Sequence, residues 1–114
     1  MNPNRSTRRA VITGVGPISC MGIGKELFWK GILAEKSGIS SLTRFDLGGL
    51  EARSSGQVDD FDPLNYFPAK MLRRLDRYAQ FAVSSTLLAL EDSGLAYSPE
   101  SPNPRQGVSF GTAL

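Results

Sequence analysis

The residues able to do chemistry in this 114-residue chain are few, and the first of them cluster near its start. RRAVITGVGPISCMGIG, residues 8–24, leads an apolar run into a glycine-bearing turn that also holds Cys20. A strand, a glycine-rich turn and a helix open many nucleotide sites, where the glycines let backbone N–H groups approach a phosphate. A dinucleotide fingerprint needs G-x-G-x-x-G; Gly14 and Gly16 fit its first two positions, but Ser19 stands at the third. Pro17 also removes an N–H that a pyrophosphate would use. A P-loop needs Ser or Thr after Gly-Lys, and Gly24-Lys25 is followed by Glu26. The glycines therefore read as backbone devices for a tight turn. A nucleophilic thiol needs a base, a cation or a helix N-terminus to lower its pKa. Cys20 has only Lys25 as a near cation in sequence, so it reads as a small space-filling residue.

The chain contains no histidine and one cysteine. Ser-His-Asp and Cys-His devices are thereby excluded within it, as are zinc sites of the usual Cys/His kind. DDFD at 59–62 is the one acidic cluster that offers a metal a choice of carboxylates, and a solvated turn is the expectation for it. Net charge is only +2, which suggests neither a nucleic-acid nor a membrane partner, but the charge is unevenly placed. Residues 46–62 sum to −4 and residues 70–77 to +3. Lys70, Arg73 and Arg74 fall at i, i+3 and i+4, so a helix would bring them to one face. A lone cysteine rules out an intrachain disulfide and points to a reducing, cytoplasmic home. No apolar run approaches the roughly 20 residues of a membrane helix.

These residues need elements to hold them. Residues 1–7 read as a disordered basic tail, and Ala10–Thr13 as a short buried strand. Lys25–Lys36 has helical spacing, with Gly38 as its expected stop, and residues 37–52 form a packed loop. Arg53–Val58 suits a short strand, and Pro68 opens a short helix through Arg74. Leu75–Ser93 is the strongest helical signal, apolar over more than half its circumference, with Gly94 as a left-handed stop. Glu91 and Asp92 sit at its unfavourable end for the helix dipole, so tertiary contacts must hold them. Residues 96–105 carry three prolines and read as a linker; Gly107–Phe110 reads as another strand. The order is that of an α/β layer with parallel strands.

Taken together, RRAVITGVGPISCMGIG, FWKGILAEKSGISSLTRFD, GQVDDFDPLNYFPAKMLRRLDRYAQFAVSSTLLALEDSGL and GVSFGTAL resemble the N-terminal part of β-ketoacyl-[acyl-carrier-protein] synthases, the elongating type II condensing enzymes. The resemblance runs from Arg8 to Leu114. It implies an α/β thiolase-like fold, of which residues 8–114 would be an incomplete first half, usually in a homodimer. It also implies decarboxylative condensation of an acyl thioester with malonyl-carrier protein, in fatty-acid or polyketide synthesis, without metal or nucleotide. The family's nucleophilic cysteine and two histidines fall beyond Leu114, and Cys20 does not match that nucleophile; no catalytic residue is expected here, and the chain alone is expected to be inactive. Lys70, Arg73 and Arg74 match the basic patch that receives the acidic acyl carrier protein. Leu114, in FGTAL, matches an apolar position near the bottom of the acyl pocket. The alternative is a small non-catalytic module that docks an acidic partner through residues 70–77.

Overall fold

The computed structural model describes residues 9–51 and 53–112. The expected tail at 1–7 and the pocket position Leu114 lie outside them. Strands β1 (Ile18–Ser19) and β2 (Gly22–Ile23) form a two-residue antiparallel hairpin, with Ile18 opposite Ile23 and Ser19 opposite Gly22. Gly22 (φ 150°) and Gly24 (φ 81°) adopt backbone conformations that side chains disfavour, which bears out glycine as a turn device here. Helix α1 (Lys25–Leu33) follows at once, with Glu26 in its first turn and Lys30 in its last, both on the favourable ends of its dipole.

Helix α1 stops earlier than the spacing predicts, at Leu33 instead of Lys36. The stop is made by Glu35, which takes the left-handed conformation (φ 51°). The Lys36 N–H then donates back to the Gly31 carbonyl at 3.1 Å. Gly38, the expected stop, instead packs against Cys20, where a methyl group would overlap the sulfur; a methyl on Gly56 would lie 3.1 Å from the same atom. Two bare backbones thus surround the thiol, consistent with its space-filling reading.

The expected strand over 53–58 contracts to β4 (Ser54–Ser55), antiparallel to β3 (Ser40–Ser41). Beyond it the Gln57 side chain extends the pairing. Its Oε1 accepts from the Thr43 and Arg44 N–H groups at 3.0 and 3.2 Å, and its Nε2 donates to the Ser41 carbonyl at 3.1 Å. A 3₁₀ turn (Pro63–Asn65) and helix α2 (Ala69–Leu72) then lead into α3 (Arg77–Ser93). Helix α3 begins two residues later than expected because Asp76 caps it, accepting from the Ala79 N–H at 2.7 Å. It ends, as expected, on left-handed Gly94 (φ 67°).

Neither predicted strand at 10–13 or 107–110 has a ladder partner among the described residues. A lone extended segment lacks the neighbour that makes it a strand. The first segment lies instead along α3. At Gly14 a methyl group would sit 2.7 Å from the Ser93 nitrogen, and at Gly16 it would sit 2.7 Å from the Ala89 nitrogen. The Ser85 hydroxyl donates to the Gly16 carbonyl at 2.6 Å. These two glycines are close-approach positions rather than turn positions. An open groove of about 700 Å³ runs along α3, lined also by Ile12, Gly14, Val108 and Phe110.

Buried apolar side chains are scarce: Phe61 and Phe67 are the two among the described residues. Total accessible surface is 9860 Å², against about 6,100 Å² for a compact monomer of this mass. The radius of gyration is 18.5 Å, where a compact chain of this length has about 13 Å. Directional bonds to α3 therefore matter more here than in a closed domain.

Replacing Gly16 with Ala is expected to lift residues 14–16 off α3, because backbone rather than a flexible side chain occupies the space. Amide exchange at Val15 should then rise toward that of an open chain while the middle of α3 keeps its protection. Unchanged exchange at Val15 would contradict the close approach.

Candidate functional site

The exposed cations begin where Phe67 plunges inward at 6% exposure and Pro68 turns the chain into α2. Lys70 lies in α2, and Arg73 caps it with helical dihedrals (φ −68°, ψ −15°). Arg74 follows in a tightened turn, its N–H donating to the Met71 carbonyl at 3.0 Å. The structure thus gives a single helical turn where the spacing predicts a helix through Arg74. All three side chains are exposed, and among the described residues none of them is paired with a carboxylate. Unpaired, solvated cations within one turn attract an anionic surface over a distance set by ionic strength.

A second basic pair, Arg77 with Arg44, meets at the Val58 carbonyl, and no sequence motif points to it. The guanidinium of Arg77 lies 5.5 Å from the ring centre of Phe61 and 4.8 Å from that of Phe81. The two rings meet edge to face with centroids 4.9 Å apart. Arg77 donates to the Val58 carbonyl, and Arg44 donates to the same oxygen at 2.7 Å. Arg44 also pairs with Asp59 at 3.3 Å. Burial first, and the adjacent Arg44 charge second, pull Arg77 below the ordinary arginine value, with Asp59 opposing. Arg77, counted with the basic stretch 70–77 in sequence, is therefore turned inward.

The acidic cluster has its own tasks. Asp59 holds Arg44, and Asp62 caps the 3₁₀ turn by accepting from the Leu64 N–H at 2.9 Å. No three metal-ligating side chains converge among the described residues. Cys20 is half-buried in the β1–β2 turn and has no partner for nucleophilic chemistry among the described residues.

Asp92 receives the tertiary contacts that its place near the end of α3 requires. It accepts from the Val15 N–H at 2.9 Å and forms an ion pair with Lys25. One carboxylate thereby ties the extended segment and the start of α1 to α3.

Residues 7–114 match the family model described as "Beta-ketoacyl synthase, N-terminal domain". The chain belongs to the β-ketoacyl synthase family. It is similar to the 3-oxoacyl-[acyl-carrier-protein] synthase 2 of Coxiella burnetii, at 40% identity over 94% of this chain and 26% of that protein. It is also similar to a granaticin polyketide putative β-ketoacyl synthase 2 of Streptomyces violaceoruber, at 37% identity over 82% of this chain and 22% of that protein. Among solved structures, the ishigamide ketosynthase/chain length factor superposes with a TM-score of 0.69 and 36% identity, over 75% of this chain and 21% of that one. The chain spans about a quarter of the length of the curated relatives it matches. Its fold is accordingly that of the N-terminal portion of a thiolase-like α/β protein, in which the uncovered groove along α3 is unsurprising.

The Lys25–Asp92 pair makes a pH prediction for this β-ketoacyl synthase segment. The Lys25 hydrogen bond, then the Val15 N–H, hold the Asp92 carboxyl below its usual value; Asp92 raises Lys25 in turn. A lowered carboxyl stabilises the fold above its unfolded value of about 3.9 and loses that contribution as pH falls through the folded value. A raised lysine stabilises below about 10.4 and loses its part as pH climbs through the folded value. Resistance to urea should therefore drop at both ends of this window, and Asp92→Asn should remove both limbs. An identical pH profile in that variant would show that the pair is not formed.

Proposed function

We propose that this chain is the N-terminal segment of an enzyme that condenses an acyl thioester with malonyl-carrier protein by decarboxylation, and that its own contribution is to receive the acidic acyl carrier protein on Lys70, Arg73 and Arg74. The observation that carries the docking role is that the three cations are exposed within one turn and unpaired among the described residues. The relatives of Coxiella burnetii and Vibrio harveyi carry the name 3-oxoacyl-[acyl-carrier-protein] synthase 2, which supports the same partner. The chain has no histidine, and its one cysteine sits in a structural turn, so nucleophile and charge stabilisers come from elsewhere in the working enzyme. The homodimer implied by the resemblance and the reducing cytoplasm expected from the lone cysteine belong to this reading, as does Leu114 as an apolar lining of the acyl pocket. A self-contained docking module would need a closed core, which two buried phenylalanines do not supply.

Charge reversal is the direct test. Arg73→Glu should weaken binding of acyl carrier protein by about tenfold or more at low salt, as expected for a surface that steers and registers an acidic partner. The wild-type affinity should itself fall steeply between dilute and molar salt. Equal affinities for the two proteins would overturn the docking role. With acyl- and malonyl-carrier protein supplied together, the chain alone should yield no condensation product; product formation would overturn the assignment of catalysis elsewhere.

A further inference from the structure

The three docking cations have few anchors of their own. Helix α2 is four residues long, and its backbone bonds, Met71 N–H to Pro68 and Arg74 N–H to Met71, stay inside the turn. The orientation of residues 68–76 is set by whatever fixes the two ends. Upstream the anchor is Phe67, buried at 6% exposure. Downstream the chain enters α3 at Arg77, whose guanidinium lies against Phe61 and Phe81 and donates to the Val58 carbonyl. Arg44 reaches the same carbonyl at 2.7 Å and is itself held by Asp59 at 3.3 Å. A carbonyl oxygen has two lone pairs, so both donors are accommodated at once. Arg77 follows Arg74 by three residues, across the non-helical break at 75–76, and it points to the aromatic pair, not to solvent with Arg73 and Arg74.

We infer that Arg77 is a positioning residue, the clamp that holds the docking turn 68–76 against the 58–61 segment, and not a fourth docking cation. The inference rests on the docking reading for its functional consequence. A direct docking charge and a clamp make opposite demands on the side chain. A docking charge is satisfied by lysine. The clamp needs a planar guanidinium that stacks on rings while its edge donates to a carbonyl, which an ammonium cannot do.

The test is therefore Arg77→Lys, read by amide exchange along the free chain and by binding of acyl carrier protein across a salt series. The expected result is exchange at residues 68–76 faster by about tenfold, with the middle of α3 unchanged. Carrier affinity should fall by a similar factor while its salt slope stays that of the wild type, because Lys70, Arg73 and Arg74 are all still present. Wild-type exchange at 68–76 in Arg77→Lys would overturn the inference. If exchange rises but neither protein binds the carrier, the clamp stands and the docking reading falls. Should Arg77→Lys melt α3 as a whole, Phe81→Leu decides: it removes one ring face and keeps every charge. That variant should loosen 68–76 to a lesser degree, and unchanged exchange there would equally overturn the clamp.

Discussion

Helix α3 can hold the rest of the chain because two glycines let a backbone lie directly on it. Gly14 and Gly16 bring the extended first segment close enough for the Ser85 hydroxyl to reach a carbonyl and for Asp92 to reach the Val15 N–H. Any side chain at either position would push the segment away and break both bonds. Asp92 then extends the hold to Lys25 and so to the start of α1. At the other end of α3, Phe81 and Arg77 do the equivalent for the 58–61 segment. With so little apolar surface enclosed, these directional ties set the relative placement of elements that hydrophobic packing would otherwise fix.

Much of this was legible locally. Gly94 as the stop of α3, Pro68 before α2, and the need for a partner at Asp92 all follow from residue chemistry within one or two turns. What was illegible depends on distant neighbours. Gly14 and Gly16 look like turn glycines because a sequence shows the turn that follows them and not the helix that will lie beneath them. Residues 10–13 and 107–110 carry strand composition, yet a ladder needs a second strand, and among the described residues none is beside them. The stop of α1 fell to Glu35, an acidic residue in a left-handed conformation that composition rules assign to glycine.

The basic stretch shows the same division. Its charge is plain from sequence, and Lys70, Arg73 and Arg74 do stand exposed within one turn. The sequence could not tell that Arg77, identical in type and three residues on, is taken inward by two aromatic rings. Nor could it tell that Arg44, more than thirty residues earlier, would share its carbonyl partner. Residue type reports what a side chain is able to do; its surroundings decide which of those things it does. DDFD makes the point in reverse, since three of its four residues go separately to an ion pair, a cap and a buried ring.

The ties to α3 also differ in how much chain they span, and that orders their formation. Arg77 and Val58 are 19 residues apart, whereas Ser85 and Gly16 are separated by 69, Lys25 and Asp92 by 67, and Val15 and Asp92 by 77. Closing the longer loops costs about 1 kcal/mol more in chain entropy than closing the shorter one. The aromatic clamp at the head of α3 can thus assemble early, as a local event. The segment around Val15 and Gly16 is synthesised well before its partners, and it stays undocked until residues 85–92 have emerged to bind it. Val11 and Ile12 stay exposed even after that segment has docked, so this stretch presents apolar surface both before and after its ties to α3 form.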